Sequence, residues 1–382
     1  MRLLHTSDWH LGRSLHGTEL LAEQEAVLMA LAGVVRDEGV DVVLVAGDVY
    51  DRAVPPADAT AVLDRAVGRI LAAGAQVVVT PGNHDSARRL GTFAGLLRAA
   101  GLHVRAATAR LDEPVLLADE HGEVAVYGIP YLEPEVARHE LGVPAARTHG
   151  AVLGAAMARV RADLLLRPGV RSVVVAHAFV GGGAASDSER DIGVGGVDLV
   201  PVEVFDGVDY VALGHLHRPQ TLADRLRYSG SPLPYSFSEA GHAKQAWLVD
   251  LDARGLSGVR AVPLPVPRQL RVLTGTLEEL LADPAHAPAE ECFVSARLTD
   301  PARPVDPMRR LQQRFPHCVH LEWTGAAGGD GRSYQERLRG RDDLEVAREF
   351  VRHVRPGLGP SGAEDDLLRR ALAAGDAAEV AR

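Results

Sequence analysis

At 382 residues with a formal charge of −10, the chain has room for two or three domains and is too acidic to hold a polyanion by bulk electrostatics alone. No apolar run approaches the roughly 20 residues that a bilayer-spanning helix needs. The opening "MRLLHTSDWH" reaches Ser-Asp too early for a secretory leader, and the only two cysteines, Cys292 and Cys318, sit in apolar stretches and read as buried thiols of a reducing, cytoplasmic setting.

In chain order, the apolar runs "LLHTSD" (3–8), "VDVVLVAGD" (40–48), "AQVVVTPG" (75–82), "EVAVYGIP" (123–130), "RSVVVAHA" (171–178) and "VDYVALGH" (208–215) predict strands covered on both faces. Helical periodicity stands between several of them, as in 19–35 and 59–74, so residues 1–262 predict a layered α/β domain. A proline-rich linker, "VPLPVPRQ" (262–269), precedes a small α/β unit at 268–324, with strands at 270–274, 292–298 and 318–323 and helices at 276–282 and 305–314. The stretch "GAAGGDGRS" (325–333) marks a second break, and two amphipathic helices follow within 334–382. The first places Leu344, Ala347, Val351 and Val354 on one face with Phe350 beside them. Asp342/Glu345 and Ser361/Glu364 stand at capping-box spacing.

Polar residues gather where the strand runs end. They are Asp8 and His10 in "SDWH", Asp48 in "AGDVYD", Asn83 and His84 in "PGNHD", His177 in "AHA", and His215 and His217 in "GHLH". Ligands of α/β sheets bind at the carboxyl ends of strands, so five strands are expected to deliver these groups to one edge of one sheet. Taken singly, each has a structural explanation: Asp8 or Asp48 as a helix cap, His177 as a satisfied core histidine. Jointly they form a metal-ligand set, whereas His16, His103, His121 and His149 keep their structural explanations. Mixed Asp, His and Asn donors without thiolates suit Mn²⁺ or Fe²⁺ rather than structural zinc. Seven donors exceed one ion and suffice for two if a carboxylate bridges, the arrangement that hydrolyses phosphoesters. On this reading Asn83 is a neutral ligand, His84 stays off the metal as a proton or hydrogen-bond donor, and Asp85 orients the loop.

The motifs "D-x-H", "GD-x-x-D", "GNHD", a separate His and "GH-x-H", in this order, resemble the calcineurin-like metallophosphoesterase superfamily. More narrowly, "SDWHLGRSLHG" (7–17), "SDSERDIGVGG" (186–196), "YVALGHLHRPQ" (211–221) and "YSGSPLPYSFSE" (228–239) are similar to the SbcD family of nuclease subunits. The resemblance implies a layered metallophosphoesterase sandwich at 1–262, a capping domain at 268–324 and C-terminal helices that attach to a coiled-coil ATPase, SbcC. It implies two Mn²⁺ ions, one held by Asp8, His10, Asp48 and His217 and the other by Asp48, Asn83, His177 and His215, with His84 catalytic. It further implies exonuclease and endonuclease action on DNA in repair, a heterotetramer with two copies of each subunit, and a homodimer through the nuclease domain. Archaeal and eukaryotic relatives tend to carry a histidine three residues after the bridging aspartate. Here that position is Asp51, as is common in SbcD-like chains, and an acid cannot donate as an imidazolium does.

Arg13, Arg52, Arg88 and Arg89 are candidate contacts to DNA phosphate. The glycine-rich stretch 180–196 lacks G-K-[ST] and reads as a mobile loop near His177 rather than a phosphate loop. Two other readings fit the superfamily motifs: a stand-alone phosphoesterase acting on nucleotides or phosphoproteins, and a non-catalytic scaffold, which the intact ligand set disfavours.

Overall fold

The computed structural model describes residues 1–189, 199–325, 341–354 and 359–380. Most of the "SDSERDIGVGG" stretch beyond Glu189 and almost all of the 325–333 break therefore lie outside the described residues. The chain divides into two compact units, Met1–Gln269 and Leu270–Arg382.

The first unit is built on two six-stranded sheets. Its strands are β1 (Arg2–Thr6), β2 (Val42–Ala46), β3 (Gln76–Thr80), β4 (Leu102–Val104), β5 (Val115–Asp119), β6 (Gly122–Ile129), β7 (Arg171–His177), β8 (Tyr210–Gly214), β9 (Gln220–Ala223), β10 (Leu226–Tyr228), β11 (Gln245–Asp252) and β12 (Gly255–Pro263). One sheet runs β12-β11-β1-β2-β3-β4 and the other β9-β10-β8-β7-β6-β5. The site-bearing strands β1, β2 and β3 are parallel neighbours, as are β7 and β8. Their carboxyl ends therefore emerge on the same side of each sheet.

The uniform apolar runs hide a strict alternation. Leu3, Val42, Leu44, Val78, Val124, Val126, Val173, Val175 and Ala212 fill a core between the sheets. The intervening Ala125, Tyr127, Val174 and Ala176 pack outward with Val152, Ala156 and Val160 of helix His149–Leu165. Successive side chains of a strand point to opposite faces, and here both faces are covered. Helices Leu21–Glu38 and Ala57–Ala72, in the β1–β2 and β2–β3 connections, cover the predicted 19–35 and 59–74.

In the second unit β13 (Leu270–Gly275), β14 (Phe293–Leu298) and β15 (Cys318–Trp323) form a parallel sheet in that order. Helices Leu277–Ala282 and Pro307–Arg314 contribute Leu277, Leu280 and Leu311 to its core, which also contains Cys292 and Cys318. Both cysteines are free thiols, and burial raises Cys318 to about 11. Helices Asp343–Val354 and Gly362–Val380 begin with side-chain caps. Glu345 N donates to Asp342 Oδ1 at 2.7 Å, and Ser361 N donates to Glu364 Oε2 at 2.8 Å. The Arg348 guanidinium ties the helices together through both Asp365 oxygens, at 2.5 and 2.6 Å. Leu344, Ala347 and Val351 are half-buried, Phe350 and Leu367 are exposed, and the side chain of Val354 lies outside the described residues.

Candidate metal centre

The predicted residues do not share one sheet. Asp8 and His10 follow β1, Asp48 follows β2, and Asn83 and His84 follow β3, all in one sheet. His177 ends β7, and His215 and His217 follow β8, in the other. The expectation of one sheet edge is thus corrected to the joint edge of two. The reason is physical: a run that is apolar at every position shows that both faces are buried, not which sheet the strand enters.

The sheets meet closely at this edge. A β-carbon on Gly214 would overlap the carbonyl oxygen of Ala46, and one on Gly82 would overlap Oδ1 and the backbone nitrogen of Asp48. Only glycine permits this approach. Asp8, His10, Asp48 and His215 all have positive φ (54°, 45°, 49° and 114°), a conformation that costs a non-glycine residue energy and is characteristic of functional sites. Buried hydrogen bonds hold these turns. Gln24 Nε2 donates to the Trp9 and His10 carbonyls at 3.1 and 2.7 Å. Asp85 accepts the N–H groups of Val49, Tyr50 and Gly82 at 3.0, 2.9 and 2.9 Å, joining the β2 and β3 loops.

Asp48 lies at the centre. Its Oδ2 is 3.5 Å from Nε2 of His10, 3.5 Å from Nε2 of His177 and 4.0 Å from Nε2 of His84. Three groups have ligand atoms within 4.8 Å of one another: Asp8/His10/His217, His10/Asp48/His84 and Asp8/Asp48/His177. Asp8, His10 and Asp48 each belong to two of them. His215 is in none of these groups. Its ring stands edge-on to His177 with centroids 5.3 Å apart, and its N–H donates to Asp8 Oδ1 at 3.0 Å.

Protonation states follow from the partners. His177 Nδ1 faces the Ala46 carbonyl at 3.0 Å and must donate to it, so Nε2 has a bare lone pair. That lone pair meets Asn83 Oδ1 at 2.9 Å, while Asn83 Nδ2 is buried without a partner. Two acceptors face each other there, an arrangement that a cation between them would satisfy. Burial lowers His10 and His215 well below the ordinary histidine range and His177 to about 4, leaving the neutral imidazoles that ligate metals. Burial, and then the charge of Asp48, raises Asp8. Two desolvated carboxylates stay ionised together only beside positive charge. On both counts these residues fit a pair of divalent ions. His84 Nδ1 donates to the Asp51 carbonyl at 2.7 Å, directing Nε2 toward Asp48.

The candidate arginines separate. Arg13 is largely enclosed: Nη2 donates to the Ser188 carbonyl at 2.6 Å, and its guanidinium stands 5.2 Å from the Tyr235 ring centroid. Arg52 is exposed and 3.8 Å from Asp51. Arg88 and Arg89 are exposed on the short helix Ala87–Leu90 just after the "PGNHD" loop. Asp51 offers the site its backbone oxygen, while its carboxylate lies 3.8 Å from both His10 Nδ1 and Arg13.

Residue-type reasoning did not assign roles to Ser188, Glu189, Glu239 and Lys244, which surround His217. Ser188 Oγ lies 2.6 Å from His217 Nδ1, and Glu189 Oε1 accepts the His217 N–H at 2.7 Å. The stretches 186–196 and 228–239 contain three of the four, so the available signal was a family resemblance with no chemistry attached to it.

Residues 1–219 match the calcineurin-like phosphoesterase model, and residues 266–355 match the SbcD C-terminal domain, described as the type 5 capsule protein repressor C-terminal domain. Among solved structures, TT1561 of Thermus thermophilus is 15% identical, with 68% of this chain and 98% of that one covered at a TM-score of 0.39. GAP50, the anchor in the inner membrane complex of Plasmodium, is 11% identical, with 87% and 99% covered at 0.37. Both likenesses are too distant to inform function. The first match spans more than half of the residues and contains every metal-centre position at the joined strand ends, and the chain belongs to the calcineurin-like phosphoesterase family, with an SbcD-type C-terminal domain.

Proposed function

We propose that this chain is the Mn²⁺-dependent nuclease subunit of an SbcCD-type complex, cutting DNA as a double-strand exonuclease and as a hairpin and single-strand endonuclease. The coarser statement, a metal-dependent hydrolase of phosphoester bonds, rests on the family membership. The observation that carries the finer one is the pairing of a buried Asp/His centre with an SbcD C-terminal domain in one chain. On this reading residues 1–262 are the nuclease domain, 268–324 are the capping domain, and the helices within 334–382 attach to a coiled-coil ATPase of the SbcC type. Two copies of each subunit assemble, with the nuclease domains paired, in the cytoplasm. No helix among the described residues is long and apolar enough to cross a membrane.

Asp8, His10, Asp48 and His217 would hold one ion, and Asp48, Asn83, His177 and His215 the other. Such ions supply Lewis-acid charge to the phosphoester oxygens and an activated water. Asp48, whose Oδ2 lies 3.5 Å from both His10 Nε2 and His177 Nε2, would be shared by the two. Because His84 Nδ1–H is committed to the Asp51 carbonyl, Nε2 can donate a proton to the phosphate or leaving oxygen only from the imidazolium form. Arg88 and Arg89, exposed beside the "PGNHD" loop, would meet flanking phosphates on this reading, as would the exposed Arg52, whereas Arg13 is engaged by the Ser188 carbonyl and the Tyr235 ring.

The test is activity on hairpin and linear duplex DNA against p-nitrophenyl phosphate esters, each with Mn²⁺ and with chelator, alongside co-purification from the source cell. Mn²⁺-dependent DNA cleavage and recovery of a long coiled-coil ATPase are expected. Hydrolysis confined to the small esters, with no such partner, would favour the stand-alone phosphoesterase.

A further inference from the structure

Around His217 the structure holds a closed ring of buried hydrogen bonds. Ser188 Oγ donates to Glu239 Oε1 at 2.5 Å. A carboxylate only accepts, so the serine proton is spent there, and the 2.6 Å contact with His217 Nδ1 must be an N–H donated to Ser188 Oγ. The other Glu239 oxygen pairs with Lys244 Nζ at 2.5 Å, and Lys244 Nζ donates at 2.9 Å both to the His217 carbonyl and to Ser231 Oγ. The ring therefore runs from the imidazole through Ser188, Glu239 and Lys244 back to the main chain of the same histidine. Ser188 is 7% exposed, Glu239 1% and Lys244 2%. Burial raises Glu239, but the contacts with His217 and Lys244 outweigh it and hold the carboxyl below the usual range.

The opposite histidine is held differently. His177 Nδ1 donates to the Ala46 carbonyl, within β2 of the other sheet. One imidazole is thus oriented by sheet backbone. The other is oriented by a serine hydroxyl in a loop whose Ser188 carbonyl also accepts from Arg13.

We propose that Ser188 is a positioning residue for His217: its hydroxyl, fixed by Glu239 and Lys244, sets the Nδ1–H tautomer that turns Nε2 toward Asp8 and His10, and so governs the affinity of one of the two metal positions. This rests on the dinuclear reading of the site. A carboxylate bonded directly to a ligating imidazole is the commoner arrangement. Here Glu239 Oε1 stands 3.5 Å from His217 Nδ1 and acts through the hydroxyl.

The test is Mn²⁺ titration of the full chain by calorimetry and electron paramagnetic resonance, with ¹⁵N-histidine NMR of the metal-free chain. In the wild type about two ions bind per chain, and His217 is the Nδ1–H tautomer. In Ser188→Ala one ion weakens by ~10–100-fold while the other is unchanged, and the His217 tautomer signature is lost. Ser188→Thr, which keeps the hydroxyl, restores both. Equal weakening of both ions, unchanged binding in Ser188→Ala, or failure of Ser188→Thr to rescue a chain that still melts like the wild type would overturn the proposal. A wild-type chain that takes up no Mn²⁺ overturns the dinuclear reading beneath it, and the wild-type titration alone tells the two failures apart.

Discussion

The Asp48 carboxylate divides its oxygens: Oδ1 accepts the His84 N–H at 2.9 Å, and Oδ2 faces the imidazoles. Gly82 packs against that carboxylate with no room for a methyl group. Gly82→Ala is therefore expected to cost ~1–3 kcal/mol of stability and to lower Mn²⁺ occupancy, read by thermal melting and metal analysis. His84→Gln is expected to keep the metals and the fold while turnover falls ~10²–10⁴-fold. Occupancy falling as steeply as turnover would make His84 a ligand instead. The gathering of Asp8, His10, Asp48, Asn83, His84, His177 and His217 was legible because all of them stand where apolar runs end, and structural explanations that suffice singly would have to coincide at every run. The supports of His217 were not. Serine, glutamate and lysine are ordinary surface residues in a sequence, and only their burial marks them.

At the level of elements, the six apolar runs became strands because they are too short for buried helices and, after the first, are rich in β-branched valine. Their partition into two sheets was illegible, since the alternation between an inter-sheet core and a helix-facing core leaves no polar trace. The hairpin of β11 and β12 went unread for the opposite reason: its residues mix exposed and buried side chains along an edge. The C-terminal helices were announced by their caps and carry apolar residues outward at Phe350 and Leu367. Deleting residues 334–382 is expected to preserve Mn²⁺-dependent hydrolysis, since every candidate ligand precedes residue 218, and to abolish assembly with the ATPase. Pull-down of the ATPase by the truncated chain would instead assign these helices to covering their own unit.

For the whole molecule, the metal centre also governs stability. Burial lowers His10, His177 and His215, His177 to about 4, from the ordinary histidine value of 6.5. As pH falls below about 6.5 the unfolded chain takes up protons that the folded, metal-free chain does not, so stability falls with acidity. Asp8 is raised, so the metal-free fold also loses stability as pH rises from 3.8 toward the raised value. Bound cations relieve the second penalty and compete with the protons of the first. Mn²⁺ at about a hundred times its dissociation constant is expected to stabilise the chain by ~2.7 kcal/mol, and at a fixed Mn²⁺ concentration the gain should be larger near about pH 7.5 than near about pH 5. Melting with and without chelator at the two pH values checks this, and a larger gain at the acid value would be inconsistent with histidine and carboxylate ligation.

The dinuclear centre bridged by Asp48 is tested most directly by counting Mn²⁺ bound per chain in wild type and Asp48→Ala while following phosphoester hydrolysis in the same samples. The account predicts about two ions and hydrolysis in the wild type, and fewer than two ions with no hydrolysis in the variant, because a single ion cannot clamp the attacking and leaving oxygens together. Full hydrolysis by Asp48→Ala, or two ions retained with the bridging carboxylate gone, would contradict it.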